Sequence, residues 1–167
     1  MVTGATIGTA HASYPHPTGW DLRIRYNKNM MPSTSSLQAP APTSPHILLV
    51  EDDLFILDLL SNKLKQENYQ LFIATDAEDA VKILEQQTID LILLDILLPG
   101  KDGFTFLKEL KADPVRQKIP VIILSNLGQK EEQERGMALG AVDYLIKANN
   151  SPAEIIARIQ TFLTKNM

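Results

Sequence analysis

The sequence contains no cysteine, which excludes disulfides, thiolate metal sites and cysteine nucleophiles. Histidine is nearly as scarce. His11, His16 and His46 are the only three, and all lie at or before the point where hydrophobic patterning begins. Neither a histidine-ligated metal nor a Ser-His-Asp triad can therefore be built in the patterned part. No apolar stretch approaches the ~20 residues of a membrane-spanning helix, and the N-terminus lacks the apolar core of a secretory signal, so a cytoplasmic location is expected. Positive charge is also short. Lys and Arg total 16 against 20 Asp and Glu. Residues 1–45 hold three basic residues (Arg23, Arg25, Lys28) and one acid (Asp21), which leaves 13 basic against 19 acidic, a net charge of -6, for the rest. A domain this acidic has no broad field for phosphate backbones or anionic lipid, so neither nucleic acid nor membrane is expected as a partner. Proteins and cations are.

At 167 residues, with 44% hydrophobic and 22% charged residues, the chain has room for one globular domain, or one with a tail. Residues 1–45, rich in Pro, Ser, Thr, Ala and Gly, are expected to be a disordered tail. Translation could begin at Met1, Met30 or Met31. From His46 the texture changes. Short apolar runs at 47–50, 71–74, 91–94, 120–125 and 142–146 alternate with segments of helical periodicity, among them one with Leu54, Ile56, Leu57, Leu60 and Leu64 on its apolar face. The fourth helical segment, 129–139, is rich in charge with only a thin apolar stripe at Met137, Ala138 and Leu139. The last begins at Ser151-Pro152-Ala153-Glu154, a capping box with proline in the first turn, and turns Ile155, Ile156, Ile159 and Phe162 inward.

Five such β-α units predict a doubly wound α/β domain over residues 46–165, with one five-stranded parallel sheet and helices on both faces. In that arrangement reactive groups gather beyond the carboxyl ends of the strands, where the strand order reverses. Here the first strand ends in Glu51-Asp52-Asp53 and the third in Asp95, while Ser125 and Lys147 end the fourth and fifth. Each alone has an ordinary reading: Asp95 or Ser125 as a helix cap, Lys147 as a surface charge, Tyr144 as core. Together they place carboxylates, a hydroxyl and an ammonium on one edge, which suits a divalent cation and a phosphoryl group.

Leu49-Val50-Glu51-Asp52-Asp53, Asp95-Ile96-Leu97-Leu98-Pro99-Gly100-Lys101-Asp102-Gly103, Ser125 and Gly140-Ala141-Val142-Asp143-Tyr144-Leu145-Ile146-Lys147 together resemble the receiver domain of bacterial response regulators, the CheY-like family of two-component signalling. The resemblance implies the strand order 2-1-3-4-5, that Asp95 is the phospho-acceptor and that Mg²⁺ is held by Asp52, Asp95 and the backbone carbonyl of Leu97, with Glu51 as the second acid of the pocket acting through water. It further implies that Ser125 follows the phosphoryl group, that Lys147 pairs with it and that Tyr144 is the switch aromatic, while Asp53 belongs to the helix start. Two positions depart from the family pattern. Ala148 follows Lys147 where proline after a cis bond is usual, and a cis bond before another residue costs about 3 kcal/mol. Asn126 follows Ser125 where a small residue is usual.

The expectation is a phospho-accepting signalling domain rather than an enzyme, with at most self-phosphorylation from small donors and self-dephosphorylation. Its donor would be a histidine kinase or phosphotransfer protein. Because the last helix ends about where the chain does, a stand-alone domain is expected, signalling to a protein target through the face of the fourth helix, fifth strand and last helix. A receiver fragment of a larger hybrid kinase or regulator is an alternative. So is a small Mg²⁺-dependent phosphohydrolase with Asp95 as nucleophile, although no insertion is available to enclose a substrate. A flavodoxin-like cofactor binder would need a phosphate-cradling loop after the first strand, where three acids stand instead.

Overall fold

The computed structural model describes residues 44–166. The tail expected over 1–45, apart from its last two residues, and the candidate starts at Met1, Met30 and Met31 lie outside them. The apolar runs form five strands: β1 His46–Val50, β2 Gln70–Ala74, β3 Leu91–Leu94, β4 Val121–Ser125 and β5 Asp143–Ile146. Between and after them come α1 Leu54–Gln66, α2 Ala77–Gln86, α3 Gly103–Ala112, α4 Lys130–Ala138 and α5 Pro152–Asn166. All strand pairs are parallel, in the order β2-β1-β3-β4-β5, as expected. Central β3 is buried throughout, which is why its sequence is unbroken Leu and Ile rather than alternating.

Side chains alternate across the sheet and divide the core into two layers. Ile47, Leu49, Leu91, Leu93, Ile122 and Leu124 pack against Leu57, Leu60 and Leu64 of α1 and Ile155, Ile156 and Ile159 of α5. Leu48, Val50, Ile92, Leu94, Val121 and Ile123 face α2 and α3.

The starts of α1, α2 and α3 are fixed by acids. Asp53 accepts from the Phe55 and Ile56 amides at 2.9 and 3.3 Å, Asp76 from Asp79 N at 2.8 Å, and Asp102 from Thr105 N at 3.1 Å. Each satisfies a donor that the first turn leaves open. At α5 the capping box closes as expected, with Ser151 N donating to Glu154 Oε2 at 2.7 Å.

Three helix faces differ from the sequence reading. Leu54, placed on the apolar face of α1, is 76% exposed, because the first turn stands beyond the strand ends and has no sheet beneath it. In α5 the deepest late residue is Leu163, while Phe162 is only partly buried; the stripe runs 155, 159, 163 at a spacing of four. In α4 the expected stripe meets the core only in part: Met137 and Ala138 are exposed, while Leu139, which caps the helix, is half-buried against the core. Within the helix, contact is made by buried Gly136, where an added Cβ would lie 2.5 Å from Ile123 Cδ1 and 3.1 Å from the Tyr144 ring. A polar helix can approach the sheet closely there because it presents no side chain.

The far edge of the sheet is held by Lys111. Its Nζ donates to the carbonyls of Gln117 and Ile119 at 3.0 and 2.6 Å, and burial lowers its pKa. Its stem lies under Gly140, which has φ +100, a conformation open to glycine. Arg135 of α4 lies 4.2 Å from the Phe104 ring centroid of α3, a cation-π contact between these helices.

Gly103, the last residue of the motif that begins at Asp95, is the first residue of α3 and is pressed against the end of β3. A Cβ there would lie 2.3 Å from the Asp95 carbonyl oxygen, a contact with rigid backbone. Gly103→Ala is therefore expected to cost about 1–3 kcal/mol, measured by urea denaturation, and to shift the amide resonances of residues 95–97. An alanine variant of native stability and unshifted spectrum would show that α3 can back away freely.

Candidate phosphoryl and metal site

The strand registers bring the candidate residues together. Val50 is paired with Leu94, and Ser125 with Ile146, so Glu51, Asp95, Ser125 and Lys147 stand at successive strand ends on one edge. The ladder continues one step beyond the strands: Glu51 N donates to Ala74 O at 3.0 Å and Asp95 N to Val50 O at 2.9 Å. The two acids are thereby built onto the rigid part of the sheet.

Glu51 is 1% exposed and Asp95 5%. Two buried carboxylates side by side require positive charge, and Lys147 supplies it. Its Nζ donates to Asp95 Oδ2 at 2.7 Å and to Glu51 Oε1 at 2.8 Å. Glu51 Oε2 lies 2.6 Å from the same nitrogen but at an orientation that makes no hydrogen bond. Asp95 Oδ1 accepts from the amides of Ile96 and Leu97 at 2.6 and 3.1 Å, which fixes the carboxylate plane and folds residue 97 back beside it. Burial pushes the Glu51 carboxyl above the usual range, and the hydrogen bond and charge of Lys147 pull it only partly back. For Lys147 burial works against the charge, but Asp95 and Glu51 outweigh it and hold the ammonium above the ordinary lysine value.

Asp52 is exposed, and one carboxylate oxygen from each of Glu51, Asp52 and Asp95 lies within 4.8 Å of the others. Three carboxylates against one ammonium leave a net charge of about -2. All the donors are hard oxygens, and one buried oxygen, Glu51 Oε2, has no hydrogen bond. This donor set fits a hard divalent cation such as Mg²⁺.

Ser125 is fully buried and its Oγ accepts from Leu127 N at 3.3 Å. Tyr144 is half-buried and its hydroxyl donates to Leu127 O at 2.8 Å. Burial pushes the phenol pKa up, the Ser125 hydroxyl draws it partly back, and the charges of Glu132 and Asp95 add to the rise. Ser125 and Tyr144 are thus joined through one residue of the β4-α4 loop.

Residues 47–160 match the response regulator receiver domain family. The chain belongs to that family. Over 119 residues this receiver domain is 40% identical to the phosphate regulon transcriptional regulatory protein PhoB of Escherichia coli, covering 71% of this chain and 52% of PhoB. The chain spans about half the length of the curated relatives it matches. Among solved structures it is similar to the receiver domain of Francisella response regulator 1452, with 29% identity, a TM-score of 0.69, and 74% of this chain and all of that one covered. It is also similar to the receiver domain of a Pseudomonas aeruginosa sensor histidine kinase, solved with a magnesium ion coordinated in its active site cleft, with 29% identity, a TM-score of 0.66, and 72% and 98% covered.

The candidate residues of the receiver site are all at this edge, and Leu97, the expected carbonyl ligand, is beside Asp95. Asp53 caps α1, as expected. The turn after Lys147 is a single 3-10 turn, Lys147–Asn149, and the Lys147–Ala148 bond is trans, so Lys147 reaches its partners without the family's usual geometry. Two supporting roles were not read from the sequence. Gly103 stood only as the last residue of a motif, and Asn150, whose Nδ2 donates to Ile146 O at 2.9 Å, was hidden in a short polar connection.

Removing one partner of a buried ion pair costs about 3–5 kcal/mol, so Lys147→Met should lose that much at neutral pH without Mg²⁺, read by urea denaturation. Glu51, already pushed up by burial, would be left with less opposing charge. A carboxyl with a raised folded pKa stabilises the fold when protonated and loses that contribution as pH rises through its folded value. The gap between variant and wild type should therefore narrow towards pH 5. A gap that does not change with pH would contradict the charge assignment.

Proposed function

We propose that the protein is the phospho-accepting receiver of a two-component system, in which Asp95 takes a phosphoryl group from the phosphohistidine of a kinase or phosphotransfer protein in the cytoplasm. One observation carries the reading: Asp95 and Glu51 are buried around a single ammonium at the carboxyl edge of the sheet, with Asp52 beside them.

Glu51, Asp52, Asp95 and the Leu97 carbonyl would hold Mg²⁺, with Glu51 acting through water. The ion, when bound, lowers the repulsion between a carboxylate and an anionic phosphoryl donor and neutralises charge on the transferring oxygens. The Asp95 carboxylate attacks phosphorus, a P–O bond forms and the P–N bond to the donor imidazole breaks. Lys147 offers the transferring group a fixed positive charge. The exposed side chains of Leu54, Phe55 and Leu59 on α1 and of Leu97 border this edge and offer a protein donor apolar contact.

Output is proposed to run through Ser125 and Tyr144. The Ser125 hydroxyl turns to a phosphoryl oxygen, and the ring of Tyr144 moves into the space released. The change is presented on the face of α4, β5 and α5, where a protein target binds. Such a switch needs states that differ by only a few kcal/mol. A second reading is favoured by length. PhoB, named as a transcriptional regulatory protein, is about twice as long as the matched segment, and in that reading this receiver controls a further domain of a longer regulator. The exclusion of nucleic acid by charge applies to residues 46–167 alone.

Incubation with acetyl phosphate and Mg²⁺ should add one phosphoryl group, mapped by mass spectrometry to Asp95 and lost in Asp95→Asn. Label persisting in Asp95→Asn would overturn the assignment. Ser125→Ala should still be phosphorylated yet lose most of the phosphorylation-dependent amide shifts in residues 126–147, while a full wild-type pattern of shifts would break the proposed coupling.

A further inference from the structure

Lys147 is the first residue beyond β5, an edge strand, but its partners stand at the ends of β3 and β1. These are two and three strands away, roughly 10 and 14 Å at the ordinary strand spacing. Its four-carbon stem must therefore leave the backbone in one direction and keep it. That direction is set by the peptide plane between Ile146 and Lys147. A proline at position 148 would restrict the chain by fixing φ, but residue 148 is alanine, and the residue before the 3-10 turn Lys147–Asn149 provides no side-chain cap.

One side chain does hold that plane. Asn150 Nδ2 donates to the carbonyl of Ile146 at 2.9 Å, which is the carbonyl of the peptide leading into Lys147. Asn150 is itself held from behind, because Ser151 is locked in the α5 capping box by its bonds to Glu154 at 2.7 and 2.8 Å. Lys147 and Asn150 also line the same small cleft of about 50 Å³, floored by Leu124, Leu60 and Ile155.

We propose that Asn150 is a positioning residue for Lys147: its amide fixes the Ile146–Lys147 peptide from the anchored start of α5, so that the ammonium is delivered to Asp95 and Glu51. This rests on the reading of Lys147 as the charge that meets the phosphoryl group. Asn150 touches neither the phosphoryl group nor the acids. Its effect is on the orientation of the lysine and not on the metal ligands.

The test compares wild type with Asn150→Ala, with Asn150→Asp, which keeps the shape but has no N–H to donate, and with Asn150→Gln, which keeps the amide. Two quantities are read first, with Mg²⁺ affinity and melting temperature as controls. The first is the ¹⁵N resonance of the Lys147 ammonium in the free protein, visible when the group is shielded and exchanges slowly with water. The second is the rate of Asp95 phosphorylation by acetyl phosphate at saturating Mg²⁺. The alanine and aspartate variants should lose the protected ammonium signal and phosphorylate about tenfold more slowly, since small misplacements of a catalytic group carry penalties of this order or larger. Their Mg²⁺ affinity, measured by calorimetry, should stay within about twofold, and Asn150→Gln should restore the signal. The proposal is overturned if signal and rate are unchanged in both variants. It is equally overturned if Mg²⁺ affinity, rate and melting temperature fall together without rescue by glutamine, which would mark a general structural role. If wild type shows the ammonium signal but takes no phosphoryl group, the functional reading of the site fails, and the ammonium signals of the variants still decide whether Asn150 positions Lys147.

Discussion

A single ammonium shared by two buried carboxylates governs the architecture at the functional edge. Lys147 contacts Asp95 at 2.7 Å and Glu51 at 2.8 Å, with all three side chains no more than 7% exposed. Neither acid could be kept ionised there without it, because desolvation of an unpaired charge far exceeds what one domain can offset. The triad also spans three strand ends, so it reports the register of the sheet: a slip of any one strand would separate the charges. Sheet register and site chemistry are in this sense one constraint.

The pairing leaves the site unbalanced in a useful direction. With Asp52 included, one positive charge faces three negative ones, and Glu51 Oε2 is left without a hydrogen bond. The surplus negative charge favours a divalent cation and opposes an anion arriving alone. A phosphoryl donor of the kind proposed would therefore meet a receptive site only with the cation present, which would make metal and donor interdependent without any moving part.

Much of this was legible in the sequence because it depends on period and order. Buried parallel strands read as apolar runs, and acids or polar residues that end those runs, such as Glu51, Asp95, Ser125 and Lys147, must gather at the carboxyl edge once the strand order is known. A helix start was legible for the same local reason at Ser151. What was not legible depended on distance between elements. Nothing in the local pattern distinguishes Leu54, which has no sheet beneath it, from Leu57, which has. The apolar residues of α4 suggested a stripe at Met137, Ala138 and Leu139, of which Leu139 alone reaches the core, whereas the helix itself meets the sheet at Gly136, a residue with no hydrophobic signal at all. Gly103 and Asn150 likewise act through a close backbone approach and a backbone hydrogen bond, and neither leaves a mark in composition.

The two ends of α4 are held very differently. At its C-terminal end Gly140 sits on the stem of Lys111, whose amine is tied to two carbonyls at the far edge. At its N-terminal end Gln129 makes no side-chain cap, and the loop before it hangs from Ser125 and Tyr144 through Leu127. The helix is thus pinned from its middle to just past its C-terminal end, where Gly136 meets Ile123 and Tyr144 and Gly140 meets Lys111, while its start carries the loop that bridges Ser125 and Tyr144, so the first turn of α4 is the part of the helix joined most directly to the site.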